Sequence, residues 1–261
     1  MHKIKIKDIS FSYSSKSPII FKNLSLEIEN GEFVCLLGQS GCGKSTLLKL
    51  IAGLNEATEG TITIDGITIK GASLERGVVF QDYGLFPWMS AGENILLALT
   101  QKYKDKNKKE LKKIAVEMLE RVGLDKSVYD KYPNSLSGGM KQRCAIAQSF
   151  SINPPVLLMD EPFGALDAVT RARLQDLVIE LWKNQNPKKT IVFVTHDVDE
   201  AMLLADRIIV LGQSNENNII YECTLPRDID RSRENQFSNP LILEKRNELI
   251  NCIQKDVAKN I

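Results

Sequence analysis

Residues 33–46 read Phe-Val-Cys-Leu-Leu-Gly-Gln-Ser-Gly-Cys-Gly-Lys-Ser-Thr. Phe33 to Leu37 are all apolar, without the alternation of a half-exposed strand. They fit a short strand buried on both faces. A glycine-rich stretch follows, and Lys44 to Ala52 then suits a helix that stops at Gly53. Strand, glycine loop and helix, in that order, are the context in which G-x-x-x-x-G-K-[ST] holds phosphate. Glycines let backbone N–H groups turn toward phosphate oxygens with no Cβ in the way. The helix start adds positive potential. Gly38, Gln39, Ser40, Gly41, Cys42, Gly43, Lys44, Ser45 and Thr46 therefore form a candidate ATP-binding loop. Lys44 can reach the β- and γ-phosphates, and the Ser45 hydroxyl suits Mg²⁺.

Four further motifs lie downstream. Val156-Leu-Leu-Met-Asp160-Glu161 is an apolar strand ending in two carboxylates. Alone, that is equally a solvated acidic turn; with the loop upstream it becomes chemistry. Asp160 can hold Mg²⁺, and Glu161 is placed to orient or deprotonate an attacking water. Gln81 ends the strand-like run Val78–Gln81, and its carbonyl can reach Mg²⁺ or water. By itself it is as readily a surface glutamine. His196 follows the strand-like Ile191–Thr195, where a neutral imidazole can donate to a γ-phosphate. A structural histidine is the competing reading. Leu136-Ser-Gly-Gly-Met140 precedes an apolar-periodic helix. Ser137 suits its N-cap, while Gly138 and Gly139 expose N–H groups to an anion. One nucleotide site needs one such loop, so the second points to closure with a partner copy.

The remaining chain alternates strands and helices. Residues 2–9 and 19–28 alternate apolar and polar, Thr61–Asp65 reads as a strand, and strands return at 156–159, 190–194 and 207–211. Helical spacing appears at Leu174, Leu177, Val178 and Leu181, near 198–205, and from Pro240. That order predicts an α/β fold with a mainly parallel sheet and helical crossovers. Residues 90–152 differ. No β-rich run occurs there, and Leu111, Ile114, Ala115, Met118, Leu119 and Val122 mark one helix face. The block reads as an α-helical insertion into the α/β core. Gly92 should loosen the helix start near Ser90. Residues after Pro226 form a charged tail.

Composition excludes several classes. Thirty-four basic against 33 acidic residues give a net charge of +1, so no global field favours nucleic acid. The lysines between 102 and 113 read as a solvated helix face. Five scattered cysteines suit free thiols in a reducing cytosol. No apolar run approaches the roughly 18–20 residues of a membrane span, and the alternating start lacks a signal peptide's apolar stretch. A cytoplasmic protein is expected, with any membrane part supplied by another chain. Of two histidines, His2 is terminal, and no cluster suggests zinc.

Together these motifs resemble the ATP-binding subunits of ABC transporters over about residues 2–225, leaving 226–261 as the tail. The resemblance implies a P-loop NTPase core, an N-terminal antiparallel β subdomain and an inserted helical subdomain. It implies ATP and Mg²⁺ as ligands, with Ser45, Gln81 and Asp160 around the metal and Lys44, Gln81, Glu161 and His196 serving hydrolysis. It implies a head-to-tail homodimer, or a pseudo-symmetric dimer with a paralogue, in which Ser137, Gly138 and Gly139 face the other copy's ATP. Asp167 matches the loop linking the two sites, and Tyr13 the aromatic that stacks on adenine, with Phe11 in reserve. Val-Val-Phe-Gln-Asp-Tyr-Gly-Leu-Phe-Pro-Trp88, Met140 and Leu225-Pro-Arg227 look like the nitrate/sulfonate/taurine importer branch. Gln148 stands where an arginine is usual, which can alter a local salt bridge. That branch implies two integral membrane permease subunits, an extracytoplasmic solute-binding protein acting indirectly, and a peripheral position on the cytoplasmic membrane face. Phe86, Pro87 and Trp88 would line the groove for a permease helix, or pack inside the helical subdomain. Two other readings compete. A soluble ABC ATPase usually has fused cassettes or long coiled-coil insertions, and a P-loop kinase has no use for a second phosphate loop. The cargo is not written in these residues.

Overall fold

The computed structural model describes residues 3–164, 166–183, 188–213, 218–226, 232–236 and 238–259. His2, Ala165 and Arg227 lie outside them. In chain order the strands and helices are β1 (Ile4–Phe11), β2 (Phe21–Ile28), β3 (Phe33–Gly38), α1 (Lys44–Ala52), β4 (Glu59–Ile64), β5 (Ile67–Thr68) and β6 (Arg76–Val79). Then come α2 (Ala91–Lys102), α3 (Lys108–Arg121), α4 (Gly138–Ser151), β7 (Val156–Asp160) and α5 (Ala168–Lys183). Last are β8 (Thr190–Val194), α6 (Val198–Leu204), β9 (Arg207–Leu211), β10 (Ile219–Thr224) and α7 (Pro240–Lys259). Contacts divide them into two units, Met1–Ala72 with Thr190–Ile261, and Ser73–Lys189.

In the first unit every residue of β3 and of β8 is buried. β3 pairs in parallel with β8 on one side and β9 on the other, with Val34 opposite Val192 and Leu36 opposite Ile209. A parallel strand covered on both faces has no polar side to present, which is why Phe33–Leu37 is apolar throughout. β10 adds an antiparallel edge to β9. β1 lies between β2 and β4 in a separate antiparallel sheet, with β5 beside β4. Its alternation is the visible one: Ile4 and Ile6 are buried, Lys5 and Lys7 exposed. The tail's expected helix forms as α7, which packs on α6 and β10, and its Ile242 and Leu249 are buried.

In the second unit β6 and β7 are parallel, with Gly77 opposite Leu157 and Val79 opposite Met159. α2, α3 and α4 pack on one another. α3 buries Leu111, Ala115, Met118 and Leu119, as their spacing requires. Ile114 is only half-buried. Three elements differ from the sequence reading. β6 stops at Val79, so Gln81 stands two residues past the strand. β5 and β10 have no clear signal in the chain. β5 has two exposed residues, and β10 is an edge strand with only Cys223 fully buried.

The start of α2 is also tighter than expected. Ser90 accepts from the Glu93 N–H, while Glu93 accepts from the Ser90 N–H, a reciprocal capping box. Gly92 is buried there, and a Cβ on it would lie 2.3 Å from the Tyr129 ring. The glycine makes room for an aromatic ring. Gly92→Ala would gain about 1 kcal/mol of helix propensity but lose about 1–3 kcal/mol to overpacking. We expect a net fall in stability, read as a lower urea midpoint at unchanged slope. A raised midpoint would mean that the ring is free to move aside.

Candidate nucleotide site

The Lys44 loop occupies the carboxyl edge of β3. α1 begins at Lys44, and Gly43 at its N-cap supplies no capping side chain, which suits the helix start to a bound anion. Gly43 has φ 102°, and a Cβ there would lie 2.7 Å from the Phe21 ring, so only glycine fits. The Lys44 ammonium folds over the loop and donates to the carbonyls of Gly38 at 2.8 Å and Gln39 at 2.7 Å. This backbone cradle, with a cation across its mouth, fits a polyphosphate. Tyr13 is 58% exposed, its ring edge-on to Phe11 at 5.1 Å, and its hydroxyl pairs with Thr46 Oγ1 at 3.1 Å. Phe11 is buried, so of these two aromatics Tyr13 is the exposed one.

β8 ends one strand away from β3, and two residues past it stands His196. The turn that holds it is heavily bonded. The Thr195 N–H donates to the Leu36 carbonyl, and the Thr195 hydroxyl donates to Glu200 at 2.6 Å. The Asp197 N–H donates to Thr195 Oγ1, and the Asp197 carboxylate caps α6 by accepting from Asp199 and Glu200. The structure thus puts the phosphate loop and His196 at one edge of one sheet.

In the second unit, β6 and β7 bring Gln81 and Glu161 together. Gln81 Nε2 donates to Glu161 Oε2 at 3.3 Å. Glu161 has φ 44°, a left-handed backbone that turns the chain sharply after Asp160. Asp160 itself is buried. Its carboxylate and the Ser45 hydroxyl are hard oxygen donors of the kind Mg²⁺ takes. Ser137 caps α4, its hydroxyl accepting from the Met140 N–H at 3.3 Å. Gly138 and Gly139 follow it half-exposed, and the Tyr83 hydroxyl lies against Gly138. Asp167 caps α5 by accepting from Val169 and Thr170, and the Thr170 N–H holds its carboxyl below the usual carboxylate range.

Asn94 was not singled out from sequence. Fully buried, it accepts from the Phe86 N–H at 2.8 Å and donates to the carbonyls of Phe86, Met89 and Ser90. It therefore fixes the loop that carries Phe86 and Trp88, whose rings lie 5.2 Å apart and stand 38% and 70% exposed. Packing inside the helices does not account for Trp88. Gln148 donates to the Asn94 carbonyl at 3.2 Å, a neutral bond where an arginine's salt bridge was in question. The signal for Asn94 was a buried amide inside an otherwise apolar helix face, and periodicity alone does not read it.

Fold and loop define a phosphate-loop nucleotide-binding protein. A family model described as ABC transporter matches residues 21–164. The chain is 46% identical over 239 residues to the nitrate import ATP-binding protein NrtC of Synechococcus elongatus, covering 91% of this chain but 36% of that protein. It is 39% identical over 257 residues to the bicarbonate transport ATP-binding protein CmpD of Synechocystis sp., covering 98% and 90%. Among solved structures, the ATP-binding cassette MJ0796 in a dimeric, post-hydrolysis state bound to ADP and Pi has a TM-score of 0.77 at 35% identity. That alignment covers 85% of this chain and 99% of the other. The chain belongs to the ABC transporter family, and it is an ATP-binding cassette. The nitrate-type branch expected from the motifs is the one its relatives' names point to.

All five cysteines are free thiols. Burial pushes Cys42 in the phosphate loop above its ordinary pKa, raises Cys35 well above it, and lifts Cys144 to about 12 and Cys223 to about 11. The thiolate is the reactive form, and raising the pKa depletes it. At pH 8 we expect one fast equivalent with iodoacetamide, at half-buried Cys252, and five after denaturation. Fast labelling of Cys42 would mean that the loop opens readily.

Proposed function

We propose that this chain hydrolyses ATP to drive an importer of a small solute in the nitrate, bicarbonate, sulfonate or taurine class. The carrying observation is the ordered set of five motifs in a chain whose relatives are named for nitrate import and bicarbonate transport. In this reading the Lys44 loop binds the ATP phosphates and Tyr13 stacks on adenine. Ser45, Asp160 and Gln81 are the oxygen donors for Mg²⁺, which when bound offsets charge on the transferring phosphoryl group. The Glu161 carboxylate accepts the proton of the attacking water. Gln81, within hydrogen-bond reach of Glu161, sets where that carboxylate points. His196 donates to the γ-phosphate.

A second copy, or a paralogue, supplies Ser137, Gly138, Gly139 and Asp167 across the nucleotide. ATP can bias closing against opening only through its higher affinity for one of the two states. Among the described residues no helix is long and apolar enough to cross a membrane. Two permease subunits would supply that part, holding the cassette peripherally at the cytoplasmic face, with the exposed Phe86 and Trp88 facing a permease helix. A solute-binding protein outside the cell would deliver the cargo.

Removing a general base costs about 10²–10⁴-fold in rate. Glu161→Gln keeps shape and hydrogen bonding but loses the proton acceptor. We expect ATP binding unchanged by equilibrium titration, kcat lower by at least about 100-fold, and an ATP-dependent dimer on size-exclusion chromatography. Turnover close to that of the unaltered chain would remove Glu161 from this role.

A further inference from the structure

The C-terminal helix has no part in the reading above, yet one of its side chains reaches the turn that carries His196. Arg246 of α7 donates to Asp199 through a planar fork, Nε to Oδ1 at 2.5 Å and Nη2 to Oδ2 at 3.2 Å. Asp199 is the second residue of α6, and its N–H is bound by the capping carboxylate of Asp197. Asp197 adjoins His196 and is tied back to Thr195. Hydrogen bonds thus link Arg246 through Asp199 to Asp197, the residue that follows His196 in the chain.

The chemistry of that turn suits a cation. Asp197 at the N-cap, with Asp199 and Glu200 in the first turn, puts three acidic side chains at the start of a seven-residue helix. The helix start offsets part of their repulsion, and Arg246 is the cation in contact with Asp199. Asp199, with Asp197 further off, favours the charged guanidinium. A half-exposed pair contributes little to overall stability, but a two-pronged arginine–carboxylate contact fixes orientation. α7 has other anchors, namely buried Ile242 and Leu249 and the Tyr221 hydroxyl bound to Glu248.

We propose that Arg246 is a positioning residue for His196, acting through Asp199 and the first turn of α6. This rests on the role given to His196 above. The test uses the full chain. The only other histidine is His2, so replacing it leaves His196 as the sole imidazole in a ¹⁵N-detected NMR spectrum, readable without turnover. We expect Arg246→Ala to shift or broaden the His196 ring signals, to lower kcat about threefold to tenfold at unchanged KM for ATP, and to leave the melting temperature almost unchanged. Arg246→Lys, which keeps the charge but not the fork, falls between. The charge exchange Arg246→Asp with Asp199→Arg restores both ring signals and kcat. In a His196→Ala background, Arg246→Ala has no further effect on kcat.

Unmoved ring signals with unchanged kcat overturn the proposal. So does an equal loss from Arg246→Ala with and without His196, which leaves the role of His196 standing. A His196→Ala variant with normal turnover removes that role itself, and the positioning role with it. Should Arg246→Ala fold poorly, the exchange variant decides. Recovery of the ring signals supports the proposal, and a folded exchange variant with displaced signals overturns it.

Discussion

Buried parallel pairing of β3 with β8 and β9 is the constraint on which the first unit depends. Parallel strands carry their carboxyl ends to one edge, and the register fixes how far each projects. Leu36 lies opposite Val194, so the phosphate loop leaves β3 and the His196 turn leaves β8 at nearly the same level. The Thr195 N–H bonded to the Leu36 carbonyl extends that ladder by one rung. A one-residue slip would exchange the side chains packed on the two faces and displace the loop and the histidine together. Apolar packing on both faces favours that register, including the Phe33–Phe193 edge contact at 6.3 Å between rings, and buried Thr190 at the start of β8 accepts the Gly31 N–H at 3.0 Å.

Helix starts in this protein are of two kinds. α2, α3, α4 and α6 are capped by Ser90, Asn107, Ser137 and Asp197, which satisfy N–H groups that would otherwise lack partners. α1 has glycine at the same position and no cap, and it follows the phosphate loop. A side-chain oxygen at Gly43 would compete with phosphate for those N–H groups. Ser137 serves as a cap in the isolated chain, so its bland reading and its proposed role in the dimer do not exclude each other.

The chain was most legible where one force dominates. β3, α1, β7, β8 and the apolar face of α3 follow directly from burial and periodicity. The helix after residue 240 was legible, but its contact with α6 was not, because an Arg246–Asp199 pair 47 positions apart leaves no local trace. Asn94 was missed for a related reason. Its four bonds go to backbone atoms of a loop, and nothing in the sequence marks a backbone atom as needing a partner. Gly92 was misread because propensity treats glycine as a loss of helix, whereas here the missing side chain makes room for Tyr129. In each case the deciding partner is remote or is backbone, so local pattern has no access to it.

Backbone strain separates the Gln81–Glu161 edge from the rest. Among the described residues, six that are not glycine have positive φ: Asp8, Asn23, Asp65, Tyr83, Asn153 and Glu161. Four are Asp or Asn, whose short polar side chains tolerate that conformation in ordinary turns. Tyr83 and Glu161 have no such allowance, and each costs about 1–3 kcal/mol if uncompensated. They stand beside the two ends of one hydrogen bond, Tyr83 two residues after Gln81 and Glu161 as its partner. Strain of this size persists only where surrounding contacts determine the backbone. At Tyr83 the neighbouring constraint is visible: Asn94 ties down the loop from Phe86 onward. Relaxing either residue would turn the Gln81 amide or the Glu161 carboxylate away from the other. The two strained positions therefore show an edge whose geometry is held at a cost in stability.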